Sequence, residues 1–285
     1  MIKITECPRD AMQGIKKIIP TELKAQYINQ LLKVGFDTID FGSFVSHKAI
    51  PQMQDTAAVL NKLDLSHTKT KLLAIIANTR GAESACGFEE ISYLGFPFSI
   101  SETFQMRNTN STIESSLVRL EEIQNLCIKN NKQLLVYISM AFGNPYGDIW
   151  HADIASQWCH KINNMGVKHL ALADTFGSSN QESIKQLFST ILPELQNTQI
   201  AAHLHSSKDK SLEKIKAAFE SGCRSFDVAI HGFGGCPMAK DELIGNIATE
   251  DLEAFAINNK IQLSLNKVEL NAAYELSWQI FNQYH

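Results

Sequence analysis

The sequence predicts an α/β fold, a (β/α)8 TIM barrel with extra C-terminal helices, and three observations predict it. Short apolar segments alternate with longer amphipathic ones along the chain, the pattern of parallel strands joined by crossover helices. Eight such short segments occur. The length of 285 residues would serve about two ordinary domains, yet α/β barrels of about 250 residues form one. An open doubly wound sheet is the rival reading of the same alternation.

The strand segments are IKITEC (2–7), FDTIDFG (36–42), KLLAIIA (71–77), ISYLGFPFS (91–99), QLLVYISMAF (133–142), KHLALAD (168–174), QIAAHLH (199–205) and SFDVAIH (225–231). Between them the apolar spacing is helical. Residues 21–35 place Leu23, Tyr27, Leu31 and Val34 on one face and close at Gly35, a natural C-cap. Residues 111–131 align Ile113, Leu117, Leu120, Ile123 and Cys127, and SLEKIKAAFESG closes at Gly222. The residues after the eighth strand have room for the final helix and one or two more, which would cap the barrel or build a dimer contact. With no linker or low-complexity segment, the expectation is one domain over 1–285 with a helical extension over about 250–285.

Composition narrows the function. Hydrophobic residues make up 44% and charged residues 20%, with a net charge of −4 and no long run of one sign. That balance speaks against nucleic acid or an anionic membrane as partner. No apolar run approaches the roughly 20 residues of a membrane span, and MIKITECPRDAMQG lacks the apolar core of a signal peptide, so the expected location is cytoplasmic. Six cysteines, Cys7, Cys86, Cys127, Cys159, Cys223 and Cys236, form no C-x-x-C pair. They read as reduced thiols, most of them packed as small hydrophobes.

In a barrel the chemistry belongs at the C-terminal strand ends and in the loops after them. After strand one come Arg9 and Asp10, which alone would pass for a surface pair. After strand seven, His203 and His205 are two apart and share one face; a packed histidine beside a surface one is the plain alternative. After strand eight, HGFGGCP (231–237) surrounds Cys236 with glycines, a loop with the freedom to bring a thiol to a substrate; His231 reads as the end of the strand. Asn246 follows, ahead of a helix starting near Thr249, where Asn and Thr would cap and Glu250 and Asp251 would suit the helix dipole. Strands seven, eight and one are neighbours in a closed ring, so Asp10, His203, His205 and Asn246 should converge. This mixed nitrogen and oxygen set lacks thiolate and suits Mg2+ or Mn2+ better than structural zinc.

With these residues in view, the chain resembles the 3-hydroxy-3-methylglutaryl-coenzyme A lyase family from end to end. The stretches that carry the resemblance are PRDAMQ (8–13), SFVSHKAIPQM (43–53), YISMAFGNPY (137–146), LADTFG (172–177), AHLH (202–205), GFGGCP (232–237) and GNIATEDL (245–252). The resemblance implies a metal-bearing barrel that cleaves the acyl-CoA to acetyl-CoA and acetoacetate, in a homodimer. It places the metal ligands on Asp10, His203, His205 and Asn246, the essential arginine on Arg9, the loop cysteine on Cys236 and the final glutamate on Glu250. Asp40 falls where the family carries a glutamate, Met140 where a cysteine is common, and Ser206 where an aspartate follows the histidines. The resulting catalytic set is Arg9, Asp10, Asp40, His203, Cys236 and Glu250. Arg9, Gln13, Lys48, Asn78 and Asp174 stand as substrate contacts, Lys48, Asn78 and RNTN (107–110) only by their place in strand-end loops. In retro-Claisen chemistry, His203 or Asp10 takes the hydroxyl proton, Arg9 meets the developing enolate charge and Cys236, with a thiol pKa near 8.5, returns a proton to carbon. Other readings are a lyase or aldolase for a related 3-hydroxyacyl-CoA, a Claisen condensing synthase, which would carry an acid at Met12, and an inactive barrel used for binding.

Overall fold

The eight segments form strands, and the strands close on themselves. A computed structural model describes residues 1–235 and 244–284. In it β1 (Lys3–Glu6), β2 (Thr38–Ser43), β3 (Lys71–Ile75), β4 (Ile91–Ser99), β5 (Gln133–Ser139), β6 (His169–Ala173), β7 (Gln199–His203) and β8 (Ser225–Val228) pair in chain order around a closed parallel barrel. Closure rests on β1 against β8, with Lys3 opposite Ser225 and Glu6 opposite Val228. That pairing excludes the open sheet.

The helices are α1 (Pro8–Gln13), α2 (Thr21–Val34), α3 (Thr56–Leu60), α4 (Thr79–Cys86), α5 (Glu102–Thr109), α6 (Ile113–Lys129), α7 (Ala152–Asn164), α8 (Gln181–Glu194), α9 (Ser211–Glu220), α10 (Thr249–Asn258) and α11 (Lys267–Tyr284). Local chemistry sets several ends. Gly35 takes a left-handed conformation behind α2, Thr112 caps α6 by accepting from the Ser115 N–H, and Asn180 and Ser183 form a reciprocal capping box on α8. α10 completes the barrel repeat. α11 is additional and packs on α2, where Tyr27 meets Phe281 edge-on at 6.4 Å.

Side-chain alternation divides the core in two. Ile39, Leu72, Ala74, Val136, Leu170 and Ile200 pack outward against the helices. Leu73, Ile75, Tyr137, Ala171 and Ala201 form a separate small cluster, the inward face at period two. Continuing along that face past Ala201 brings His203, and then His205, to the barrel mouth.

Several strand ends fall earlier than the sequence suggests, each for a tertiary reason. β5 stops at Ser139 because Met140 turns left-handed, with φ +63°. β7 stops at His203 because His205–Ser206 leaves to pair antiparallel with Gly245–Asn246. β8 stops at Val228, after which Ala229 bridges to Ala248, and His231 lies beyond the strand in a short turn with φ +62°. Residues 107–109 of RNTN belong to α5 and not to a strand-end loop. At the start of α10, Ala248 is the N-cap and accepts no N–H with its side chain, so neither Asn246 nor Thr249 caps this helix; Glu250 and Asp251 do occupy its first turn.

Candidate active site

The chain turns straight from β1 into α1, with Pro8 in its first turn, and so carries Arg9 and Asp10 into the mouth, each 7% exposed. Arg9 is held on three sides. Its Nε and Nη2 donate to the Asp40 carboxylate at 3.0 and 2.5 Å. Its Nη1 donates to Asp10 Oδ1 at 3.0 Å and to Gln13 Oε1 at 2.8 Å, and Gln13 Nε2 donates to the same Asp10 oxygen at 2.7 Å. A guanidinium has five N–H groups; these contacts leave one, on Nη2. Burial pushes the Asp40 carboxyl up to about 6 against the pull of Arg9, so it is ionised at neutral pH and anchors the guanidinium.

The two histidines face each other with ring centroids 5.2 Å apart. Each is oriented from behind. His203 Nδ1 lies 3.1 Å from Asp227 Oδ2, and His205 Nδ1 lies 3.2 Å from the Thr175 carbonyl oxygen. Both arrangements direct Nε2 away from its support, as metal-binding imidazoles require. Burial draws the His203 pKa down, but the Asp227 hydrogen bond and charge, with Asp10, outweigh it and leave it raised. Burial and the neighbouring His203 lower His205, which favours its neutral, ligating form. Burial raises Asp10, yet Arg9 and the two histidines outweigh it and hold the carboxyl below its usual range.

Asp10, His203 and His205 offer ligand atoms that all lie within 4.8 Å of one another. Among the described residues, His205 Nε2 is buried without a hydrogen-bond partner, as are Asp227 Oδ1 and the Tyr137 hydroxyl. Carboxylates Asp10, Asp40 and Asp227 are buried here beside one guanidinium, Arg9. Unsatisfied imidazole nitrogen, surplus negative charge and mixed donors are what a divalent cation fits. Asn246 is in place, but its Nδ2 donates to Asp10 Oδ2 at 2.7 Å and to the Phe233 carbonyl at 2.9 Å; in this arrangement it orients Asp10.

A family model described as HMGL-like matches residues 2–276. The chain belongs to the HMGL-like family. It is 33% identical over 254 residues to the cytoplasmic 3-hydroxy-3-methylglutaryl-CoA lyase of Rattus norvegicus, covering 88% of this chain and 73% of that one. It is 32% identical over 286 residues to the mitochondrial hydroxymethylglutaryl-CoA lyase of Bos taurus, covering 99% and 86%. An HMG-CoA lyase from Acinetobacter baumannii, solved with coenzyme A and 3-methylmalate, superposes with a TM-score of 0.92 at 29% identity, over 99% of this chain and 92% of that one.

Within this HMGL-like barrel the residues read from sequence separate into two groups. Arg9, Asp10, Gln13, Asp40, His203, His205 and Asn246 meet at the mouth. Of the others, Asp174, Asn78, Lys48 and Glu250 lie outside that group. Asp174 accepts from Ser179 and pairs with Lys214 at 2.8 Å; because Lys214 also donates to the His205 carbonyl at 2.7 Å, Asp174 supports His205 from outside. Asn78 is exposed and caps α4 by accepting from the Gly81 N–H. Lys48 is exposed in the turn after β2. Glu250 pairs with His231 at 2.6 Å. Cys236 lies outside the described residues, with most of the stretch to Gly245. Sequence reasoning passed over Tyr137, Asp227 and Cys7. Tyr137 presents its ring edge to His203 at 5.2 Å, and Cys7 places its sulfur with His203 and Asp227 in a second close group. For Tyr137 and Asp227 the available signal was a charged or hydroxylated residue within an otherwise apolar strand.

Proposed function

We propose that this protein cleaves 3-hydroxy-3-methylglutaryl-CoA to acetyl-CoA and acetoacetate, using Mg2+ or Mn2+, as a cytoplasmic homodimer. The observation that carries the reading is the Asp10, His203 and His205 cluster set beside an arginine whose contacts among the described residues leave one N–H over. A bound divalent cation would supply positive charge that acidifies the substrate hydroxyl and orients its oxygens. Asp10 and His203 are the basic groups of the cluster for the hydroxyl proton. As that O–H bond breaks, the oxygen becomes the ketone of acetoacetate and the carbon–carbon bond electrons pass to the acetyl thioester as an enolate. Arg9, fixed by Asp40 and Gln13, meets the negative charge on the thioester oxygen with its remaining N–H. Cys236 is the proposed donor of the proton that the enolate carbon takes up.

The reading is tested by incubating purified protein with the thioester and Mg2+ or Mn2+ and assaying acetoacetate. Product above a metal-free control is expected, and its absence overturns the assignment. In the same assay Cys236→Ala should lose at least about a hundredfold in turnover, within the range of acid–base catalysis, with unchanged Mn2+ affinity. Normal turnover in that variant removes Cys236 from the mechanism.

A further inference from the structure

His231 sits in an uncommon conformation. It holds φ +62°, a left-handed geometry rare among non-glycine residues, though histidine adopts it more readily than most, and one that its surroundings must favour. Here they do. Its Nδ1 lies 2.6 Å from Glu250 Oε1 and its Nε2 lies 3.0 Å from the Tyr274 carbonyl oxygen. Both the Glu250 carboxylate and the Tyr274 carbonyl accept, so the site favours the imidazolium, which donates from both ring nitrogens; the Glu250 hydrogen bond raises the His231 pKa. Its backbone N–H donates to the same Glu250 carboxylate at 3.0 Å. The ring also packs edge-on against Trp278 at 5.7 Å. One side chain thus ties the stem after β8 to the first turn of α10 and to α11.

The next residues carry that tie to the site. Phe233 stacks on Phe281 of α11 with centroids 4.3 Å apart and 15° between planes. The Phe233 carbonyl accepts from Asn246 Nδ2, whose other contact is Asp10 Oδ2. An unbroken path therefore runs from α11 through His231 and Phe233 to Asn246 and the Asp10 carboxylate.

We propose that His231 is a positioning residue for the metal cluster, clamping the post-β8 stem to α10 and α11 so that Phe233 and Asn246 hold Asp10 in its ligating place. Glu250 then serves as the clamp's carboxylate and not as a group that touches substrate. The inference rests on the reading of Asp10, His203 and His205 as a metal cluster, and it is independent of which thioester is cleaved.

The test measures Mn2+ affinity directly on the full chain, from the electron paramagnetic resonance signal of free Mn2+, together with the melting temperature without metal and the kcat and KM of the lyase reaction. His231→Gly relieves the left-handed backbone and removes the clamp. It should weaken Mn2+ binding about tenfold, the low end for losing a group behind a metal ligand, and lower kcat more than it raises KM. His231→Asn, which tolerates the same backbone and keeps a donor, should recover most of the affinity. Wild-type Mn2+ affinity in His231→Gly overturns the proposal, as does failure of His231→Asn to improve on it. If His231→Gly does not fold, Phe233→Leu, which loses the stack on Phe281 but keeps its carbonyl, takes its place with the same two outcomes. A wild-type protein that binds no Mn2+ sinks the metal reading and the inference with it; wild-type binding with an unaffected glycine variant sinks the inference alone.

Discussion

Among the described residues, three buried polar atoms around the barrel mouth have no partner: Tyr137 Oη, His205 Nε2 and Asp227 Oδ1. Each unmet group costs about 1–3 kcal/mol, so a barrel selected for stability alone would not gather them. The Tyr137 hydroxyl is the informative one. Burial, with Asp227 and Asp40, pushes its pKa well up, which keeps it a proton-bearing donor at any working pH. Tyr137→Phe removes an unsatisfied group without leaving a cavity. We expect its melting temperature to equal or exceed that of the wild type while kcat/KM falls at least about tenfold, the loss of one hydrogen bond made in the transition state. Full activity would show that no substrate atom uses this hydroxyl. Tyr137 and Asp227 were hard to single out in sequence because the face of a strand residue is settled only by its partners. Asp227 lies opposite Thr5 and Glu6 opposite Val228, which sends two neighbouring acids to opposite sides of the barrel wall.

At the scale of elements, the alternation of segments was legible and the strand ends were not. His203 and His205 read as one strand, yet a ribbon of two residues on each side, His205–Ser206 against Gly245–Asn246, takes the second histidine. That pairing joins positions forty apart and leaves no local periodicity to read. Asp174 and Glu250 show the converse: acids correctly noticed at strand and helix ends, but consumed by Lys214 and His231. The ribbon depends on Gly245, where an added Cβ would lie 2.1 Å from the Gly232 carbonyl oxygen. Backbone cannot yield as a side-chain tip can, so Gly245→Ala must displace the ribbon and with it Asn246. The variant should lose about 1–3 kcal/mol of stability and bind Mn2+ at least about tenfold more weakly. Both quantities come from metal titration and thermal unfolding, and wild-type values in both would mean that the ribbon does not place Asn246.

For the whole molecule, the barrel follows from hydrophobic alternation, while the fall of its stability toward alkaline pH involves a buried acid that alternation hides. Glu6 faces outward from β1 into the layer beneath α10, fully buried. It accepts from the Ile230 N–H at 2.8 Å and contacts the Thr249 hydroxyl at 2.6 Å. Burial, against these hydrogen bonds, raises its pKa from an ordinary 4.5 to about 8. The direction of linkage follows. Below the ordinary value both folded and unfolded chains hold the proton and Glu6 imposes no cost. Between there and about 8 the folded protein keeps a proton that the unfolded chain has released, so stability falls as pH rises, by an amount of order a few kcal/mol, and then levels off. Glutamine reproduces the protonated shape, accepting from Ile230 with Oε1 and offering Nε2 to Thr249. Glu6→Gln should therefore match the wild type near pH 4.5 and melt several degrees higher at about pH 8.5. His231 and Glu250 titrate in both proteins and largely cancel from the difference. A gap between the two melting curves that stays constant with pH, or that shrinks as pH rises, would mean that Glu6 is ionised in the fold and that α10 packs over a charge.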